Sequence, residues 1–124
     1  VDTTKVLIVE DSRATREMLA SAVSTLRGIE VFTAVSGFDA LKVLPRHRFA
    51  LIITDINMPD INGLELINFV KKNPHYRETP LFVITTESRP QDRERGLQLG
   101  ANEYIVKPFQ SEVLTALVRH YLKL

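Results

Sequence analysis

The apolar positions of the chain fall into two alternating kinds of segment. Short runs rich in β-branched and aromatic residues, KVLIV (5–9), VFTA (31–34), FALIIT (49–54), LFVITT (81–86) and EYIVK (103–107), predict strands. Between them, apolar residues recur at helical spacing. Met18, Leu19, Ala22, Val23 and Leu26 mark one helix, Leu64, Ile67 and Val70 another, and Leu114, Val118, Tyr121 and Leu122 a last one. Proline and glycine punctuate two further helices. Ser36 to Leu44 stops near Pro45, and Pro90 to Leu99 opens on a proline suited to a first turn and ends at Gly100.

Five strand–helix units joined by short connections predict an α/β domain. Right-handed crossovers place helices on both faces of such a sheet, giving a doubly wound five-stranded parallel sheet with five helices. The unbroken apolar run from Phe49 to Ile53 fits a strand covered on both faces. At 124 residues the chain fits one domain spanning 1–124.

Composition narrows the functional classes. With 16 basic against 15 acidic side chains there is no global field for nucleic acid or an anionic membrane. The absence of cysteine excludes a disulfide scaffold and a thiolate metal site, and fits a reducing compartment. No apolar stretch approaches the roughly 18 residues of a membrane span, so the expected setting is cytoplasmic. The basic cluster PRHR (45–48) reads as a solvated corner, and His47, His75 and His120 are scattered and lie on no candidate site. Val113 and Leu117 widen the apolar arc of the last helix, which suits either a broad sheet edge or dimerisation and partner docking.

In doubly wound sheets ligands bind at the carboxyl ends of the strands. There the sequence sets Glu10 and Asp11 after the first strand, Asp55 and Asn57 after the third, Thr85 and Thr86 at the end of the fourth, and Lys107 with Pro108 after the fifth. Taken singly, each has an ordinary explanation as cap, turn former, strand residue or solvated cation. Independent caps, however, have no reason to occupy four strand ends in so complementary a pattern. Neighbouring carboxylates repel unless something cationic joins them, and Mg²⁺, which takes a few oxygens plus water, suits Glu10, Asp11 and Asp55. Glu10 and Asp11 need not both be direct ligands, and a main-chain carbonyl near Asn57 completes the protein's share. With the metal in place, the Asp55 carboxylate can attack phosphorus to give an acyl phosphate. Mg²⁺, Lys107 and the Thr85 hydroxyl would then each neutralise one phosphoryl oxygen.

LIVEDS, ITDINMPDINGLEL, VITTES and GANEYIVKPF resemble, in order and spacing, the landmarks of the response-regulator receiver domain, and the whole chain resembles a stand-alone chemotaxis-type regulator. The resemblance implies a flavodoxin-like receiver fold. It sets the metal-binding acidic pair on Glu10 and Asp11, the phosphorylated aspartate on Asp55, the signalling hydroxyl on Thr85 and the phosphate-pairing lysine on Lys107. It implies phosphoryl transfer from a histidine kinase or phosphotransfer protein, the domain itself catalysing transfer and later hydrolysis. A switch follows, in which Thr85 moves toward the phosphoryl group and Tyr104 turns inward. The surface of the fourth helix, fifth strand and fifth helix then changes its affinity for a downstream protein or effector domain, as a monomer or a phosphorylation-dependent dimer. Asn57 and Glu87 fall at the family's positions for tuning self-dephosphorylation, and this polar pair implies a transient acyl phosphate. Lys107–Pro108 matches a peptide bond that is cis in the family.

The residues leave alternatives open. The domain is free-standing or cut from a larger regulator or hybrid kinase. An aspartyl-phosphate phosphohydrolase is disfavoured by Asn57, which stands where such enzymes often set a second acid. A flavin or nucleotide binder is disfavoured by VEDSRAT, acidic where a phosphate-cradling loop needs glycine and main-chain donors.

Overall fold

The computed structural model describes residues 3–124. Strands and helices alternate as β1 (Thr4–Val9), α1 (Arg13–Ser24), β2 (Ile29–Ala34), α2 (Gly37–Val43), β3 (Leu51–Thr54), α3 (Gly63–Lys72), β4 (Leu81–Thr85), α4 (Pro90–Gln98), β5 (Glu103–Val106) and α5 (Ser111–Leu122), with a 3₁₀ turn at Leu44–Arg46. Neighbouring strands all pair parallel, in the order β2-β1-β3-β4-β5. From β1 the chain first steps outward to β2, then returns to build the other half. The crevice between the carboxyl ends of β1 and β3 is therefore the switch point of the topology.

Alternation along the central strands divides the core in two. Val6 and Ile8 of β1 pack with Leu19 and Val23 of α1 and Leu114 and Val118 of α5. Leu7 and Val9 face the opposite layer, with Ala40 of α2 and Leu66, Ile67 and Val70 of α3. β3 and β4 are buried at every position, as their apolar runs predict. Burying each such Leu or Ile contributes about 1.5–3 kcal/mol, so the two layers hold the strand ends in register. Side-chain caps start three of the helices: Ser12 Oγ accepts from the Thr15 amide, Ser36 Oγ from Asp39 and Asn62 Oδ1 from Leu64.

Several positions depart from the sequence pattern. Phe49 is buried but precedes β3, its ring packed edge-on against Phe32. Met18 is 55% exposed, since the buried stripe of α1 runs through Leu19 and Val23. Leu66, outside the predicted stripe of α3, is buried with Ile67 and Val70. On α5, Leu117 packs against the core while Val113 stays exposed, so the wide apolar arc is only partly used. Among the described residues, no helix is long and apolar enough to cross a membrane.

Candidate functional site

At the switch point β1 runs into Glu10 and Asp11, and β3 into Asp55. Glu10 and Asp55 are buried, 1% and 6% exposed, while Asp11 is open to solvent. One carboxylate oxygen from each of the three lies within 4.8 Å of the others. Lys107, just past β5, reaches between two of them: its Nζ donates to Glu10 Oε1 at 2.8 Å and to Asp55 Oδ2 at 2.9 Å. The other Asp55 oxygen, Oδ1, accepts from the Ile56 and Asn57 amides at 2.6 and 3.1 Å. Glu10 Oε2 accepts from the Ser12 amide at 3.1 Å.

Burial pushes the Glu10 carboxyl above its ordinary value, outweighing the bonds from Lys107 and Ser12. Burial also works against the Lys107 ammonium, but its bonds to Glu10 and Asp55 prevail and hold it above the usual lysine value. Three carboxylates against one ammonium leave two negative charges, an oxygen-lined balance that suits a divalent cation.

Thr85 is fully buried, on the same face of β4 as Leu81 and Val83. Its Oγ1 accepts from the Glu87 amide at 3.2 Å, and Thr86 beside it is exposed. Tyr104 is half-buried against the same layer, its hydroxyl donating to the Glu87 carbonyl at 2.8 Å. Burial first, then the Asp92 and Glu87 charges, raises its phenol. Asn57 Nδ2 donates to Glu87 Oε1 at 3.1 Å. Glu87 thus touches Thr85, Tyr104 and Asn57 through its amide, its carbonyl and its carboxylate. The Lys107–Pro108 peptide is cis. The structure therefore joins Glu10, Asp11, Asp55 and Lys107 in one cluster, with Thr85 and Tyr104 beside it and linked through Glu87.

Sequence reasoning missed three supporting residues. Arg16 Nη1 donates to the carbonyls of Glu10 and Asp11 at 2.9 and 3.3 Å, pinning the acidic pair to the first turns of α1. Asp60 ties the β3–α3 loop to the start of α2: Oδ1 accepts from the Gly37 amide at 3.1 Å and Oδ2 from Phe38 at 2.9 Å. These amides, Phe38 foremost, hold the Asp60 carboxyl down to about 2. Gly63 lets α3 start directly beneath Asp55, and a Cβ there would run into the Asp55 carbonyl oxygen. Only Gly63, following the capping Asn62, carries a signal readable along the chain.

A doubly wound α/β domain whose switch point gathers buried carboxylates around a lysine belongs to the class built to receive a phosphoryl group. The description "Response regulator receiver domain" matches residues 6–119. A chemotaxis protein CheY homolog of Campylobacter jejuni is 36% identical over 111 residues, 89% of this chain and 85% of that protein. CheY1 of Helicobacter pylori is 37% identical over 111 residues, 89% of this chain and 90% of that protein. The chemotaxis response regulator CheY4 of Vibrio cholerae superposes with a TM-score of 0.87 at 36% identity, covering 96% of this chain and 98% of that one. This chain belongs to the response regulator receiver domain family, the phosphoacceptor domains of two-component signalling.

Proposed function

We propose that Asp55 accepts a phosphoryl group from the phosphohistidine of a histidine kinase or phosphotransfer protein, and that the modification is read out on the α4–β5–α5 face. The observation that carries this reading is the Lys107 bridge between Glu10 and Asp55 at the switch point. Asp55 Oδ1 is committed to two main-chain amides, which leaves Oδ2 as the attacking oxygen. As the Oδ2–phosphorus bond forms, the donor's nitrogen–phosphorus bond breaks and its imidazole leaves. Lys107 is then placed to exchange the carboxylate for a phosphoryl oxygen, keeping a charge-assisted bond. The donor set of Glu10, Asp11, Asp55 and the Asn57 main-chain carbonyl fits Mg²⁺, which when bound supplies neutralising charge for the phosphoryl group.

Attack of water on phosphorus breaks the Oδ2–phosphorus bond again, releasing inorganic phosphate and returning the Asp55 carboxylate. The domain carries out both steps on itself. Asn57 and Glu87, bonded across the two flanking loops, govern water's access and favour a short-lived acyl phosphate. Movement of Thr85 toward the phosphoryl group removes its bond to the Glu87 amide. Because Tyr104 bonds to the same residue, the change passes to the α4–β5–α5 face, where Val106 and Val113 are exposed to a downstream partner or effector domain. A phosphohydrolase acting on a separate substrate is not favoured, since Asn57 offers an amide where a leaving-group acid is needed.

The test is an amide NMR titration with beryllofluoride, with and without Mg²⁺, on this protein and on Asp55→Asn. Mg²⁺-dependent shifts at Thr85, Tyr104 and Lys107 that vanish in the variant are expected. A folded wild type that gives no response would overturn the assignment.

A further inference from the structure

The pole opposite the phosphoacceptor site carries a second concentration of charge. Between the amino ends of β1, β3 and β4 lies a groove of about 630 Å³, within the size range of small-ligand sites. Lys5 of β1 lines it, with Arg46, His47 and Arg48 on one wall and His75 and Tyr76 on the other. Among the described residues, no carboxylate lines it. Among the described residues, Lys5, Arg46 and Arg48 have no ion-pair partner, and the imidazoles of His47 and His75 and the Tyr76 hydroxyl have no hydrogen-bond partner. Glu78, in an adjoining groove with Lys5 and Arg48, is within ion-pair distance of neither. The described lining is thus rich in side-chain donors and includes no carboxylate.

Both walls are built rather than loose. Leu44 and Phe49 are buried, 1% and 6% exposed, and hold the segment between them. The His47 ring is seated against Phe32 at 4.2 Å and Phe49 at 5.6 Å between ring centres. The opposite wall is a turn closed by the Tyr76 and Arg77 amides on the Asn73 carbonyl at 3.0 and 2.9 Å, and by the Thr79 amide on Tyr76 at 2.9 Å. A lone cation on either wall would be an ordinary solvated side chain. Several cations lining one groove, with walls tied down by packing and main-chain hydrogen bonds and no carboxylate among the described lining residues, form a recognition pattern.

We propose that this groove is a binding site for a small polyphosphate anion. The Arg46 and Arg48 guanidiniums and the Lys5 ammonium supply charged donors for phosphate oxygens, and the Tyr76 and His75 rings supply aromatic surface for a base if the phosphates belong to a nucleotide. The site is separate from Asp55 and does not depend on its phosphorylation.

The experiment is an amide NMR titration of the full chain, metal-free and at fixed ionic strength, with tripolyphosphate, ATP and adenosine. Saturable shifts are expected at residues 46–48 and 75–79, unchanged in Asp55→Asn. Tighter binding of ATP than of tripolyphosphate identifies a nucleoside polyphosphate, and equal binding identifies the phosphate chain alone. The double variant Arg46→Gln, Arg48→Gln, exposed at both positions, should bind roughly tenfold or more weakly, the effect of losing charge-assisted hydrogen bonds. Lys5→Gln should weaken it independently. Shifts no larger than those given by sulfate at matched ionic strength, or unaltered in the double variant, would overturn the proposal.

Discussion

Replacing Gly63 with alanine sets two effects of opposite sign against each other at the phosphoacceptor loop. Gly63 opens α3, and helix propensity alone favours alanine there by up to about 1 kcal/mol. Against this, the added Cβ would run into the Asp55 carbonyl oxygen, and would lie 2.6 Å from Ile56 Cα and 2.9 Å from the Asp55 carbonyl carbon. All three are main-chain atoms at the end of a buried strand, so no side-chain rotation relieves them. The loop must retreat, stretching the bond from the Gly63 amide to the Ile56 carbonyl, now 2.8 Å. Overpacking of about 1–3 kcal/mol plus about 1 kcal/mol for the hydrogen bond, less the propensity gain, leaves a net loss of roughly 2 kcal/mol. Urea denaturation should show a lower midpoint at unchanged slope, and the melting temperature should fall by roughly 6–10 °C. Gly28→Ala is the comparison: at φ 80° with nothing within 4 Å of a Cβ, it meets only left-handed strain of about 1–2 kcal/mol and leaves the site untouched. If Gly63→Ala is as stable as the wild type, or more so, the close approach does not govern this position.

Three further outcomes follow from the geometry. Asp60 has its folded value lowered from 3.8 to about 2, so its contribution is complete above the unfolded value and is lost as pH falls through the folded one. Asp60→Asn should therefore melt lower at neutral pH and converge with the wild type between about pH 4 and pH 2; parallel melting curves across that window would count against the clamp. The Tyr121 hydroxyl donates to Glu103 Oε2 at 2.6 Å, and that bond foremost raises its value above 10.0. Its contribution is present below the unfolded value and lost as pH rises through the folded one. Tyr121→Phe should be less stable by about 0.5 kcal/mol at pH 7, and the difference should shrink above pH 10; a constant difference would refute the linkage. With Mg²⁺ at tenfold over its dissociation constant, the wild type should gain about 1.4 kcal/mol in denaturation, and removing the ion should reverse it. Asp11→Asn, an exposed change, should abolish most of that gain, and an undiminished gain would remove Asp11 from the metal set.

The architecture was legible because its signal is local. Unbroken apolar runs such as Leu81 to Ile84 have one physical outlet, a doubly covered strand, and the helical spacing between them leaves little choice of topology. The acids and lysine of the site were legible for a related reason, since strand ends fall on one edge once the sheet is parallel. What remained hidden depends on direction rather than order. Arg16 and Asp60 act on main-chain groups brought near by the fold, and neither leaves a periodic mark. Met18 was misplaced because the helical stripe is wider in sequence than the face that α1 buries. The PRHR cluster is solvated as read, with Arg46 and Arg48 exposed; what the local sequence could not show is the wall that faces it, Pro74 to Tyr76, far along the chain.

In the proposed switch, Glu87 is the point of coupling between the phosphoacceptor site and the surface. Its amide serves Thr85, its carbonyl serves Tyr104 and its carboxylate serves Asn57. A loop residue with all three groups engaged cannot yield one contact without loading the others. Each such hydrogen bond has a net value of about 1 kcal/mol, so rearranging two of them supplies roughly 2 kcal/mol. That is the usual size of a coupling free energy between two sites, equivalent to a roughly thirtyfold change in partner affinity. Gly96 adds to this: a Cβ there would meet the Tyr104 ring at 3.3 Å, a tight contact, so the bare glycine lets α4 lie close against the tyrosine. The ring therefore packs directly on a helix of the proposed output face. The proposed switch therefore needs no long pathway from Asp55 to the α4–β5–α5 face, only one loop residue and a tyrosine seated against a glycine.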